Sequence, residues 1–513
     1  MALDPEVETI YGRIRGSENG GIRSFRGIPY ARQPLGSDRF RAPGPPEPWT
    51  EVLNANRPGR VPIQASVPWL SFLNAGAAPQ SEECLNLNIW TPGLDAAKRP
   101  VLVWVHGGGF LIGAGSTPIY EGHNLARRGD IVVVTFNYRL GALGYIHLNG
   151  VGGDDFKDAS NAGVRDQIAA LEWVRDNITS FGGDPENVTV AGQSAGAMSI
   201  GALLGAPRAR VLFKRAVCQS GAMEHVLTQD EADEAASIFL RELGGPPREV
   251  DVLSRIPVEK ILKAQGVVNQ ELTSIERLMA FLPCVDGDLI PEHPLDAVRK
   301  GEVAHIPLLV GTNLDEWKLF TALDSGLPSL SEDDMVQRFE ELLPNVTSQA
   351  PAGAQAAEEY REAVRARGGK TSAYEVWSAF QSARVFHYPA WQLSEEQSKA
   401  GGTAYSYLFT WRPPALRRTL GACHALDIPF IFGFTGHPVA LPFTGFSPAA
   451  NRLSRRMQRS WIDFTRDGDP GHDQLPSWPA YDTHSRATMV FGRKSYLDHA
   501  PLEDERKLFE SWA

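Results

Sequence analysis

The chain has 513 residues, 42% of them hydrophobic and 22% charged, which is the balance of a globular chain able to build a large core. Its formal net charge of −11 repels nucleic acid and anionic membrane surfaces, and the short basic runs Arg417-Arg418 and Arg455-Arg456 read as solvated faces rather than a binding patch. No run of 18 or more apolar residues is present to span a bilayer.

The first residues, Met1-Ala2-Leu3-Asp4-Pro5-Glu6, have neither the basic start nor the apolar stretch of a secretory signal. Val101-Leu-Val-Trp-Val105 and Ile131-Val-Val-Val-Thr-Phe136 are nearly continuous apolar runs, the pattern of strands in a sheet covered on both faces. Apolar residues at 164, 168, 171, 174 and 178 predict a helix with one face on a core. A short strand follows at Val188-Thr-Val-Ala191, then a sharp turn at Gly192–Gly196 and another helix to about Leu204. Strand, helix, strand, turn, helix is the rhythm of a parallel α/β sheet. Later strands are predicted at Pro307-Leu-Leu-Val-Gly311 and Ala404-Tyr-Ser-Tyr-Leu-Phe409.

The stretches 225–300 and 320–400 carry Glu, Arg, Gln and Ala at helical spacing and read as helical insertions over the sheet, with Ala350-Pro-Ala-Gly353 as a loop tip. Length alone suggests two or three domains, yet no linker separates them, so residues 1–513 are taken as one α/β domain. The four cysteines, at 84, 218, 284 and 423, lack metal-ligand spacing and read as free, mostly buried thiols of a reducing cytoplasm.

Two segments carry chemistry. Gly192-Gln193-Ser194-Ala195-Gly196 is a G-x-S-x-G pentapeptide, short enough to arise by chance, but here it lies between a predicted strand and a predicted helix. A serine hydroxyl is a weak nucleophile, and a strained strand-to-helix turn presents it unobstructed to a base. His106-Gly107-Gly108-Gly109-Phe110 follows the strand ending at Val105, and its glycines leave backbone N–H groups accessible for an oxyanion hole together with the amide of Ala195.

The base is harder to choose. The order nucleophile, acid, histidine keeps His225, His293, His305, His387, His424, His437, His472, His484 and His499 in play. Context favours Gly311-Thr-Asn-Leu-Asp-Glu316 as the acidic loop and His424 in Gly421-Ala-Cys-His424-Ala-Leu-Asp-Ile-Pro-Phe430, without settling either.

Together these residues resemble the type-B carboxylesterases, the family of bacterial para-nitrobenzyl esterases and cholinesterases. The likeness runs through nearly the whole chain. It includes Phe25-Arg-Gly-Ile-Pro-Tyr-Ala31, Arg39-Phe40, Trp49, Gln64, Ser81-Glu-Glu-Cys-Leu-Asn-Leu-Asn88, Asn137-Tyr-Arg-Leu-Gly141, Asn161-Ala-Gly-Val-Arg-Asp-Gln167, Phe181-Gly-Gly-Asp-Pro185, Trp461-Ile-Asp-Phe464 and Trp478-Pro-Ala-Tyr481.

The resemblance implies an α/β-hydrolase fold, a mostly parallel central sheet flanked by helices, with the insertions as a cover over the substrate pocket. It implies a carboxylic-ester hydrolase using Ser194 as nucleophile, Glu316 as acid and His424 as base, with Asp315 the lesser candidate acid. It further implies an oxyanion hole of Gly108, Gly109 and Ala195, an ion pair Arg139–Asp166, Ser220 as a partner of the acid, and Leu111, Met279 and Phe320 as pocket residues. The partner is a small-molecule ester, and the reaction asks for neither metal nor cofactor. Amide or carbamate hydrolysis on the same groups, and a binding protein of the superfamily without activity, are the alternatives. Two departures stand out. Relatives carry glutamate where this chain has Gln193, which removes a charge that would favour cationic substrates, and no cysteine precedes Cys84 to form the disulfide of secreted relatives.

Overall fold

The computed structural model describes residues 4–65, 78–149, 156–245, 251–274, 277–321, 329–346, 349, 351–413 and 419–512. Met1–Leu3, Ala350 and Arg417-Arg418 lie outside them. Among the described residues the strands are β1 (Glu6–Thr9), β2 (Gly12–Arg15), β3 (Ser17–Asn19), β4 (Ile22–Pro29), β5 (Leu53–Asn54), β6 (Asn86–Thr91) and β7 (Arg99–Val105). They continue with β8 (Val132–Phe136), β9 (Gly183–Gln193), β10 (Arg215–Gln219), β11 (Leu308–Asn313), β12 (Ala404–Phe409), β13 (Ala487–Phe491) and β14 (Tyr496–His499).

β1, β2 and β5 form a small sheet, and the other strands form one sheet in the order β14-β13-β12-β11-β10-β9-β7-β8-β6-β4-β3. The run from β13 to β8 is parallel, and antiparallel strands extend it at both ends. This is the α/β-hydrolase architecture that the resemblance implies.

The near-continuous apolar runs have the meaning expected of them. Val101, Val103 and Val105 of β7 enter one hydrophobic cluster, whereas Leu102 and Trp104 enter another on the opposite face. A strand buried on both faces needs apolar side chains at both parities, which erases the alternation of a half-buried strand. The helix Ala162–Asn177 covers the first face, with Val164, Ile168, Leu171 and Val174 buried as the spacing predicts. The amphipathic helix Pro448–Asp467 covers the second, burying Leu453, Met457, Trp461 and Phe464.

Both insertions are helical. The first holds helices Gln229–Glu242, Asp251–Arg255, Val258–Leu272 and Pro294–Arg299, and Leu278–Pro291 between the last two is irregular. The second holds Glu332–Val346, Gly353–Ala366, Ala373–Ser382 and Tyr388–Lys399, joined through a π-helical turn at Ala383–His387. With the C-terminal helix Glu503–Trp512 it builds a third cluster around Phe339, Tyr360, Trp377, Phe380 and Phe509. The four cysteines are buried free thiols. No helix among the described residues is long and apolar enough to cross a membrane.

Candidate active site

Gln193 ends β9, and the helix Ala195–Gly205 begins one residue after Ser194. The chain makes this reversal with Ser194 at φ 59° and ψ −130°, a conformation L-residues avoid. Ser194 N–H donates to Gln219 O on β10 at 2.9 Å, and Met198 N–H donates to Ser194 O at 2.9 Å, so the turn is held from both sides. Gly196 has to be glycine for steric reasons: a Cβ there would sit 2.1 Å from Val105 O.

The glycine loop after β7 packs directly over this turn, since a Cβ at Gly107 would lie 3.2 Å from Ser194 Cβ. Gly108 and Gly109 have φ of +121° and +61°. Among the described residues the amides of Gly108, Gly109 and Ala195 donate to no protein acceptor. The loop is nevertheless fixed. Gly108 O accepts from Leu111 N and Ile112 N, each at 3.1 Å, and Gln64 clasps Gly113 with Oε1 accepting from Gly113 N (2.9 Å) and Nε2 donating to Gly113 O (3.0 Å). Tyr138 stacks on His106 at 4.4 Å and donates to His106 O at 2.7 Å. Burial pushes the His106 imidazole down to about 4, so it stays neutral.

Glu316 and His424 meet at the C-terminal ends of the parallel strands, the edge at which such sheets assemble sites. Glu316 Oε2 lies 2.7 Å from His424 Nδ1, and Oε1 accepts from Asn313 N at 2.7 Å. Both residues are buried. A carboxylate only accepts, so Nδ1 carries the proton and Nε2 faces the site as an acceptor. In this state the neighbour of Nε2 is the Gln193 amide, whose Nε2 lies 3.1 Å from it and 3.4 Å from Nδ1. No hydrogen bond joins Ser194 Oγ to His424, a contact that in unliganded enzymes commonly closes only with substrate bound.

Asp315, the rival acid, turns the other way. It accepts from Ala422 N at 2.9 Å and pairs with Lys318 at 3.2 Å and Arg412 at 3.5 Å. Although burial opposes it, those two cations hold the carboxyl below its usual range.

Arg139 and Asp166 form the buried ion pair the resemblance implies, with Nη2–Oδ1 at 2.6 Å and Nε–Oδ2 at 2.8 Å. Removing one partner of such a pair strands a buried charge, at a cost of about 3–5 kcal/mol. Ser220 Oγ, which the resemblance offers as a partner of the acid, is buried and has no hydrogen-bond partner among the described residues.

Leu111, Met279 and Phe320 are each half-buried against one hydrophobic cluster. Phe320 lies 5.2 Å from the His424 ring, and Phe386, which the sequence reading missed, lies closer at 4.6 Å. Phe386 sits on the π-helical turn of the second insertion. An aromatic in a helical stretch far from any motif carries no signal of such a role. Asn313 was also missed as a partner of the acid, although it stands inside the Gly311–Glu316 segment that drew attention.

The profile of the carboxylesterase family matches residues 3–508. The chain belongs to the carboxylesterase family. It is a carboxylic-ester hydrolase of the α/β-hydrolase fold. It is 36% identical to a para-nitrobenzyl esterase of Bacillus subtilis (strain 168) over 98% of each chain, and 35% identical to a phenmedipham hydrolase of Pseudarthrobacter oxydans over 96% of each. Among solved structures it resembles a carboxylesterase of Geobacillus stearothermophilus, with a TM-score of 0.87 and 36% identity, covering 99% of this chain and 100% of that one.

Proposed function

We propose that this carboxylesterase works by two-step acyl transfer on Ser194, with His424 as general base and acid and Glu316 as the carboxylate that orients the imidazole. The observation that carries the reading is the buried 2.7 Å contact between Glu316 and His424 Nδ1, beside a serine raised on a strained turn. His424 Nε2 takes the hydroxyl proton as Ser194 Oγ attacks the ester carbonyl, and the Gln193 amide gives way as the hydroxyl engages. The new oxyanion receives the otherwise unused amides of Gly108, Gly109 and Ala195, each donor worth about 10²–10³ in rate. The alcohol departs with the proton returned by His424, water repeats the sequence on the acyl-enzyme, and the acid is released. Glu316 accepts from His424 Nδ1 throughout and stabilises the imidazolium.

Leu111, Met279, Phe320 and Phe386 supply an apolar lining, and the helical insertions cover it. With a neutral Gln193, nothing at that position favours a cationic alcohol over a neutral one. With a nitrophenyl ester, the wild type is expected to release a burst of chromophore equal to the enzyme concentration, and Ser194→Ala none. A variant that keeps full turnover would refute the assignment.

A second reading is cleavage of carbamates or amides by the same groups. The relative named phenmedipham hydrolase supports including that compound, with matched ester, amide and carbamate substrates, in the first panel.

A further inference from the structure

Asp427 lies on the same turn as His424 and is a second fully buried carboxyl behind the site. Three neutral donors reach it, one from each of three neighbouring strands. Gln219 Nε2 on β10 donates to Oδ2 at 2.7 Å, Tyr407 OH on β12 donates to Oδ2 at 3.2 Å, and Asn313 Nδ2 on β11 donates to Oδ1 at 3.4 Å. Among the described residues no Lys or Arg pairs with it.

Two of these donors are tied to the reacting groups. Gln219 O accepts from Ser194 N at 2.9 Å, while its side-chain Oε1 accepts from Trp461 Nε1 at 2.9 Å, which fixes the amide with its NH₂ toward Asp427. Asn313 N donates to Glu316 Oε1 at 2.7 Å, and its Nδ2 also donates to Cys423 O at 2.8 Å, next to His424. One carboxyl therefore links the backing strand of the serine turn, the acid loop and the histidine loop.

We propose that Asp427 is a positioning residue that holds the loops of Ser194, Glu316 and His424 in register, and that its charge sets the pH range over which His424 works as a base. The proposal rests on the assignment of those three residues made above.

The groups facing Asp427 are Glu316, His424, Tyr407, Tyr120 and Cys423. Burial, and then the like charge of Glu316, push its carboxyl up to about 6, while Gln219, Asn313 and His424 pull the other way. The burial of Tyr407, Tyr120 and Cys423 pushes each of them upward, so they stay neutral where Asp427 titrates. Once ionised, Asp427 favours the imidazolium over the neutral imidazole. The base must be neutral to accept the serine proton, so this charge delays the onset of activity as pH rises.

The test is the pH profile of kcat/KM for a nitrophenyl ester with Asp427→Asn. The amide keeps the shape and the oxygen that accepts from Gln219 and Tyr407, and forfeits only the 3.4 Å contact. The variant is expected to give a full chromophore burst, a KM close to wild type, and an acid limb lower by about one pH unit, the low end of shifts caused by a nearby charge. A merely structural role would change stability without moving that limb. A folded variant with a full burst and an unmoved limb overturns the inference and leaves the Ser194 assignment intact, whereas turnover persisting in Ser194→Ala removes both. If Asp427→Asn does not fold, Tyr407→Phe decides. Losing one donor makes the carboxyl harder to ionise, so the limb moves down by a smaller step, and an unmoved limb again overturns the inference.

Discussion

Replacing Gln193 by glutamate puts a carboxylate where the structure has a neutral amide nitrogen 3.1 Å from His424 Nε2. Two unit charges about 4 Å apart interact by about 4 kcal/mol at an effective dielectric constant of about 20, equivalent to about three pH units. Real shifts from an opposite charge at this range span about 1–3 units, and the burial of Gln193, which opposes ionisation of a carboxyl placed there, favours the lower half. The new charge holds the imidazolium, so Gln193→Glu is expected to move the acid limb of kcat/KM upward by about 1–2 units. Well below both limbs the variant should lose about 10- to 100-fold in kcat/KM, and it should approach wild type in alkaline solution. The assay is a full pH–rate profile with a neutral nitrophenyl ester at two salt concentrations. Salt should change the shift little, because Gln193 and His424 are both buried. An unmoved or lowered limb would refute the placement of Gln193 against the imidazole.

Other outcomes follow from the same geometry. In Gly108→Ala the new Cβ would lie 2.0 Å from Ile112 O, so the loop must shift; kcat is expected to fall about 10²–10³-fold together with a lowered melting temperature, and unchanged kcat in the folded variant would refute the oxyanion role. Glu224 has both carboxyl oxygens buried with no hydrogen-bond partner among the described residues, and burial pushes it up to about 7. Its folded-state value exceeds its unfolded one, so the stability it contributes is intact below about pH 4.5 and is lost as pH rises through about 7. Wild type should therefore lose up to about 3 kcal/mol relative to Glu224→Gln between pH 4 and pH 8, and denaturant titrations giving one constant difference would contradict that.

What the sequence made legible follows a physical division. The strands Arg99–Val105 and Val132–Phe136 announce themselves because a strand buried on both faces must be apolar throughout. β10, Arg-Ala-Val-Cys-Gln, was missed because it is five residues long with polar ends, and those ends have tertiary partners: Arg215 bonds Thr465 O, and Gln219 bonds Trp461 and Asp427. β13 and β14 were missed too; β14 is an exposed edge strand, Tyr-Leu-Asp-His, with no apolar face to signal it.

At the site, the serine turn could be read locally because its glycines are steric requirements of the turn itself. His424 and Glu316 could not be paired on local grounds, since 108 residues separate them and only the sheet brings them together. The resemblance supplied that pairing. It did not supply the resting partner of the imidazole, because that depends on where the Gln193 side chain goes once the helix after Ser194 is formed.

The role of Ser194 is tested by treating the enzyme with an organophosphate ester inhibitor and locating the adduct by peptide mass spectrometry. One phosphoryl group per chain is expected, on the peptide carrying Ser194, with no labelling and no ester turnover in Ser194→Ala. Stoichiometric labelling at another residue, such as the buried Ser199 or Ser220, or an Ser194→Ala variant that still hydrolyses esters at the wild-type rate, would contradict it.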